Sequence, residues 1–356
     1  PDLAVTDGIV VSVLLNLGNG TFAAQVDYTT DVGTGPGSIA AADLNGDGKR
    51  DLIIGNFSGP HVLLNQGNGT FAPAVSYDLN SYPSAITVAD FDGDGHLDLA
   101  AGMDEGGVAV LVGRGDGTFE EPVVLGAAND LTALIAADFD ADGILDLAST
   151  SHYRFEVQVF RGLGDGSFEP RRTFATPERP RALVARDIDR DGHLDLITGC
   201  EDPGKLSMLA GDGTCSFGPP VLLLDESGWS FAIEDFDGDG RFDLAAIFRR
   251  DGLTIAFGQE DGTFGEERVM PVDGTLYAVA AADMNSDGLL DLALACPTER
   301  RILLFAGLGD GTFSPEPALS VSHEPATILL HDVNGDGLVD VLASSLDDGQ
   351  KDHISV

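Results

Sequence analysis

Basic residues are scarce. The chain has 19 Lys and Arg against 59 Asp and Glu, a formal net charge of −40 over 356 residues. Such a surface repels polyanions and excludes a duplex nucleic-acid partner. It equally disfavours an anionic membrane. Long apolar runs are missing too: nothing approaches the ~18 residues a spanning helix needs, so no membrane insertion is expected. There are three cysteines, Cys200, Cys215 and Cys296, with no CxxC or Cys/His zinc spacing. Cys200 ends one strand and Cys215 falls in the turn after the next, which sets them too far apart to bridge. GxSxG, HExxH and P-loop motifs are absent, which removes the common serine-hydrolase, zinc-protease and nucleotide-hydrolysing signatures. No stretch keeps a helical period.

What the chain has in excess is Asp and Gly in one fixed pattern. In Asp43-Leu44-Asn45-Gly46-Asp47-Gly48-Lys49-Arg50-Asp51, acid or amide side chains stand at positions 1, 3, 5 and 9, with Gly at position 6. This is the front of an EF-hand-type calcium loop, in which three side-chain oxygens converge and position 7 offers its carbonyl. An EF-hand closes with Glu at position 12 on a helix. Here the closing carboxylate is Asp51, and Leu52-Ile53-Ile54 after it reads as a strand. The expectation is a strand–loop–strand calcium hairpin.

The frame recurs at steps of 47, 48, 49, 48, 48 and 49 residues. The candidate ligands are Asp43, Asn45, Asp47 and Asp51; Asp90, Asp92, Asp94 and Asp98; Asp138, Asp140, Asp142 and Asp146; Asp187, Asp189, Asp191 and Asp195; Asp235, Asp237, Asp239 and Asp243; Asp283, Asn285, Asp287 and Asp291; and Asp332, Asn334, Asp336 and Asp340. The alternative reading is a set of Asp/Gly turns without metal. Up to seven Ca²⁺ would offset much of the acidic excess, since the seven loops hold 25 of the 59 acids.

One unit reads as four strands. Ser38–Asp43 leads into the loop, Asp51–Asn56 leaves it, Phe57 to Pro60 turns the chain, His61–Asn65 is the third strand and Ala74–Tyr77 the fourth. The turn before the fourth strand is GNGTF at 67–71 and recurs around Phe22, Phe119, Phe168, Phe217, Phe264 and Phe313. Gly211 to Phe217 looks like a version with an insertion, and Asp261 to Phe264 like a shortened one. The Phe is expected to pack between adjacent sheets. Pro36, Pro83, Pro180 and Pro325 mark the start of first strands, where Pro is tolerated. A repeat of ~48 residues with four strands describes an all-β protein, a seven-bladed β-propeller over residues 1–356, with eight incomplete blades as the alternative.

The run from Val88 to Ala100, followed by GDGTF at 115–119, resembles the bacterial VCBS/FG-GAP-like repeat, a relative of the integrin alpha-subunit propeller. The resemblance covers essentially the whole chain. It implies a propeller with Ca²⁺ between the first two strands of each blade, in a protein that serves as an adhesin, a lectin-like module or part of a carbohydrate-active enzyme. The chain opens in mid-repeat and reads as part of a longer protein with flanking domains.

The calcium loops are expected on one face, and the variable loops on the other. On that opposite face Arg and aromatic residues gather in later repeats: Arg154, Trp229, Arg249, Arg250, Arg300 and Arg301, with Tyr153 beside Arg154. They suggest a glycan or anion surface, since Arg forks carboxylates. The competing reading pairs them with local acids. The sequence-level reading is a calcium-binding, secreted or cell-surface module that binds a glycan or an extracellular protein. The alternative is the propeller of a polysaccharide lyase or hydrolase.

Overall fold

The computed structural model describes residues 2–7, 10–15, 17, 23–29, 38–126, 128–200, 205–224, 230–248, 252–332, 337–345 and 354–355. Every regular element among them is a β-strand, and all pairings are antiparallel.

The second sheet shows the plan. Its strands are Ser38–Ala42, Asp51–Asn56, Gly59–Leu63 and Val75–Ser76, hydrogen-bonded in chain order. The third strand starts earlier than expected. Asn56 pairs with Gly59 across a two-residue turn at Phe57 and Ser58, so Pro60 lies inside a strand rather than in the turn. Gly59 makes this possible with φ +151° and a backbone packed against the Tyr77 carbonyl, where any Cβ would collide. Sheets three to seven repeat the plan from first strands Pro83–Ala89, Leu131–Ala137, Pro180–Arg186, Phe231–Glu234 and Ala278–Ala282. Pro83, Pro180 and Pro325 do open their strands; Pro36 lies outside the described residues.

The two ends are three-stranded. Leu3–Asp7, Val10–Leu14 and Val26–Thr29 lack a first strand, and Pro325–His331, Asp340–Ser345 and Ile354–Ser355 lack a fourth. Eight sheets therefore carry seven loops, because only sheets with a first strand have a loop to hold. Closing seven blades would put Pro325–His331 beside the N-terminal strands. Instead it pairs with its own hairpin, and among the described residues no ladder joins the two ends. The all-β plan of seven loop-bearing repeats is the one expected of the propeller, with the end sheets left unclosed. Leu329 of the last sheet lines one cavity of about 680 Å³ together with Asp2, Ala4, Val13 and Ile39.

Alternation within the second strands builds the core. Leu52 and Ile54 pack back on Val11 and Val13 of the first sheet, while Ile53 packs forward on Leu99, Met103 and Leu111. Both faces are buried, so these strands are mostly apolar after their opening Asp, with buried polar exceptions such as Ser149, Thr150 and Ser151 of the fourth sheet. The pattern makes seven apolar clusters, each joining consecutive sheets. The first strands, rich in Ala, lie beside one another along the inner edge. The turn Phe packs between sheets as expected, edge-on to Tyr28 for Phe71, to Tyr77 for Phe119, to Phe91 for Phe168 and to Phe236 for Phe313. Hydroxyls add a clasp that sequence reading missed. Ser38 Oγ donates to the Pro83 carbonyl at 3.0 Å and Thr132 Oγ1 to the Pro180 carbonyl at 3.0 Å, each from one sheet to the next.

Candidate metal centres and the opposite face

Each loop is shaped by its own backbone donors. The position-1 carboxylate accepts the N–H of the position-6 glycine: Gly48 to Asp43 at 2.8 Å, Gly95 to Asp90 at 2.9 Å, Gly143 to Asp138 at 2.9 Å, Gly240 to Asp235 at 2.8 Å, Gly288 to Asp283 at 2.9 Å and Gly337 to Asp332 at 2.9 Å. The position-5 carboxylate accepts the N–H of position 7, as from His96 to Asp94 at 2.8 Å and from His193 to Asp191 at 2.8 Å. The position-6 glycines hold φ between +82° and +92°. Position 4 is also left-handed, and there Ala141, Arg190 and Ser286 adopt φ of +56° to +61°, a conformation costly for side chains with a Cβ.

These turns bring acids together. Single carboxylate oxygens of Asp90, Asp92 and Asp94 lie within 4.8 Å of one another, as do those of Asp138, Asp140 and Asp142, of Asp187, Asp189 and Asp195, and of Asp235, Asp237 and Asp239. Two buried oxygens in these groups, Asp140 Oδ1 and Asp187 Oδ1, have no hydrogen-bond partner. A buried carboxylate oxygen without a donor is costly unless a cation meets it. The donor set is all oxygen, hard and anionic, and so fits a calcium-class ion. In the first loop Lys49 Nζ sits 2.7 Å from Asp47 Oδ2, and this lowers the Asp47 carboxyl below its usual range. Asn334 and Asp336 of the seventh loop lie outside the described residues.

The position-9 aspartates have a second role that the spacing did not reveal. Asp51, Asp98, Asp146, Asp195, Asp243 and Asp291 are at most 2% exposed. One oxygen of each accepts the N–H of loop position 2, as Asp98 does from Phe91 at 2.7 Å. The other accepts an N–H just past the third strand, as Asp98 does from Gly113 at 2.7 Å. The same pair recurs around Asp51, from Leu44 and Asn65, and around Asp243, from Phe236 and Gly258. Each is a pin that ties the loop to the next turn. Burial pushes the carboxyls of Asp51, Asp98, Asp146 and Asp195 up, and that of Asp243 to about 6, with the charges of Asp237 and Asp239 adding to the shift.

The two irregular turns are regular in space. Gly211 bridges Phe217 and Gly258 pairs with Phe264, the same reach as Gly113 to Phe119. Neither an insertion nor a shortening exists. Cys215 simply stands where the other turns have their second glycine, and it holds φ +54°. Its thiol, 1% exposed, donates to Asp146 Oδ2 at 3.1 Å. Burial, then the Asp146 carboxylate, pushes that thiol's pKa up. All three cysteines are buried thiols.

The seven loops define the chain's relationship. The FG-GAP-like repeat matches residues 1–54, 43–101, 90–149, 138–198, 187–246, 235–294 and 283–343. The chain belongs to the FG-GAP-like repeat family. Each match after the first begins at the first Asp of one loop and ends beyond the next, so the family's unit overlaps two sheets. Solved structures share the FG-GAP chain's fold. Saccharomyces cerevisiae Sqt1 superposes with a TM-score of 0.65 at 12% identity, over 99% of this chain and 92% of that one. An Agrocybe aegerita lectin, described as recognising non-reducing terminal N-acetylglucosamine, gives 0.60 at 21% identity over 90% of each. The Pseudomonas aeruginosa periplasmic gluconolactonase PpgL gives 0.56 at 17% identity, over 91% of this chain and 97% of that one. At these identities the likeness is one of fold. No curated protein matches the FG-GAP sequence.

On the opposite face the sequence-level candidates separate. Trp229, Arg249 and Arg250 lie outside the described residues. Arg300 lies 4.0 Å from Glu324, and Arg301 Nη2 donates to the Asp273 carbonyl at 2.9 Å, so both turn to local partners. Arg154 is exposed beside Tyr153. Tyr153, 61% exposed, stands edge-on to the buried His152 at 4.7 Å, and the Arg179 guanidinium lies 5.7 Å from its ring centre. A cleft of about 220 Å³ opens there, lined by Asp104, Asp130, Thr132, His152, Tyr153 and Arg181. Its wall is a chain of backbone bonds: Asp130 N–H to the Asp104 carbonyl at 2.8 Å and His152 N–H to the Asp130 carbonyl at 3.0 Å. Burial raises the Asp104 carboxyl, and Asp130 adds to the shift. Spacing alone missed Asp130, which meets His152 across the fourth sheet's own strand pair, and Asp104, which joins them only when the third sheet lies alongside.

Proposed function

We propose that the chain is a calcium-dependent binding module that presents a glycan-binding or protein-binding face opposite its metal loops. The observation that carries the calcium part is the buried carboxylate oxygen without a partner, Asp187 Oδ1, inside a cluster of convergent acids. Positions 1, 3 and 5 would supply side-chain oxygens and position 7 its carbonyl, while the position-9 carboxylate pins the loop in shape. A bound Ca²⁺ would offset the carboxylate repulsion, and its binding energy would add to folding stability. Millimolar extracellular calcium fills even modest sites of this type, which favours a secreted or cell-surface setting.

The cleft at Tyr153 supports the glycan part. Carboxylates accept from sugar hydroxyls, guanidinium groups donate to them, and an exposed aromatic ring offers an apolar face. The fold it shares with an N-acetylglucosamine-recognising lectin is consistent with this use. The test is a glycan array probed in calcium with the unchanged protein and with Tyr153→Ala and Asp130→Ala. Loss of binding at unchanged melting temperature is expected. Equal binding by all three would remove the cleft from the account.

A further inference from the structure

The third loop, Asp138 to Asp146, differs from its fellows in two ways, and both differences point into the same spot. The residue before the one whose N–H meets the position-9 carboxylate is Leu64, Val112, Ala210, Phe257 or Ala306 in other sheets. Here it is Arg161, whose guanidinium pairs with Asp140 Oδ2 and reaches Asp142 Oδ2 at 2.6 Å. The second glycine of the turn is Gly20, Gly69, Gly117, Gly166, Gly262 or Gly311 in other repeats. In the fifth sheet it is Cys215, which reaches back across the sheet interface to Asp146.

A Cβ at this left-handed position is strained, and only Gly, Asn and Asp take it readily. The thiol is nevertheless held there, against a carboxylate. Asp140 is the second observation. Its side chain is 10% exposed, Oδ2 is taken by Arg161, and Oδ1 is buried without a hydrogen-bond partner. One oxygen each of Asp140 and Asp146 and the Cys215 sulfur lie within 4.8 Å of one another.

We propose that Asp140, Asp146 and Cys215 form a mixed oxygen–sulfur site for a thiophilic divalent cation of the zinc class, spanning the fourth and fifth sheets. It rests on the reading of these loops as cation sites, but its sulfur comes from outside the loop. Calcium takes oxygen ligands, whereas thiolate selects zinc-class ions. On binding, the thiol releases its proton to solvent and the sulfur lone pair takes up the metal bond. Tetrahedral zinc-class sites use bonds of about 2.0–2.3 Å, so the three donors close by a small side-chain adjustment. Arg161, on the outer oxygen of Asp140 and on Asp142, offsets the remaining negative charge.

The probe is Cd²⁺ added to reduced, calcium-saturated protein, read by the sulfur-to-cadmium charge-transfer absorption in the ultraviolet. One equivalent is expected to produce the band. Cys215→Gly should abolish it, and that variant should fold well because glycine suits φ +54°. The double variant Cys200→Ala and Cys296→Ala should keep it, and Asp140→Asn should weaken the affinity at least tenfold. A band that survives Cys215→Gly, an unchanged affinity in Asp140→Asn or no band in the unchanged protein would each overturn the site. Repeating the titration without calcium separates the two readings: a Cys215-dependent band in a protein whose loops bind no calcium would sink the calcium module and leave this site standing.

Discussion

Within one loop, the aspartates at positions 1, 3 and 5 and the aspartate at position 9 live under opposite rules. The first three stand near the surface, held by short-range turns to their own loop, with oxygen atoms left to meet a cation. The ninth is buried, and each of its oxygens accepts a backbone N–H, from two separate segments. The same residue type therefore serves binding in one place and architecture in the other. Sequence spacing alone makes all four look like ligands.

Removing calcium should press on this difference most strongly. Chelation is expected to lower the melting temperature by more than ten degrees (roughly, for several filled sites), as followed by calorimetry. A next test separates the two classes. Asp98→Ala should cost about 3 kcal/mol in calcium and in chelator alike, because two buried N–H groups lose their acceptor. Asp92→Asn should cost about 1–3 kcal/mol in millimolar calcium, through one lost site, and nothing in chelator, where it removes like-charge repulsion. Denaturant titrations of both variants in both buffers check the pair. If Asp98→Ala were harmless without calcium, the structural role of the ninth position would be wrong.

The smallest effect is one of pH. The Asp243 carboxyl titrates at about 6 in the folded chain, against about 3.9 in an unfolded one. The folded state then holds its proton more tightly. Its contribution is present below pH 4 and is lost as pH rises through 6. Chelated protein should thus melt higher at pH 5 than at pH 7. Aspartates held below the usual range, such as Asp116 and Asp165, lose their contribution only as pH falls below about 4, outside this window. A lower melting temperature at pH 5 in chelator would break the assignment.

Much of this was legible in the chain. The nine-residue frame located every loop, the apolar second strands and the turn Phe located the interfaces, and Pro83, Pro180 and Pro325 located strand starts. What was hidden depends on partners distant in sequence. The Ser38 and Thr132 clasps end on carbonyls 45 and 48 residues away. The ninth aspartate reaches a donor 14 to 16 residues on. Cys215 and Asp146 are 69 residues apart, and the turn containing Cys215 reads as an insertion because a cysteine stands where the other turns have their second glycine. The end sheets follow the same logic: pairing with the adjacent hairpin competes with closing the ring, and spacing cannot rank the two.

The central claim is that the convergent acids hold calcium. Crystals grown in calcium and measured for anomalous scattering test it directly. A peak is predicted amid Asp90, Asp92 and Asp94, and again amid Asp235, Asp237 and Asp239. Ordered loops with water alone at those positions would contradict the account.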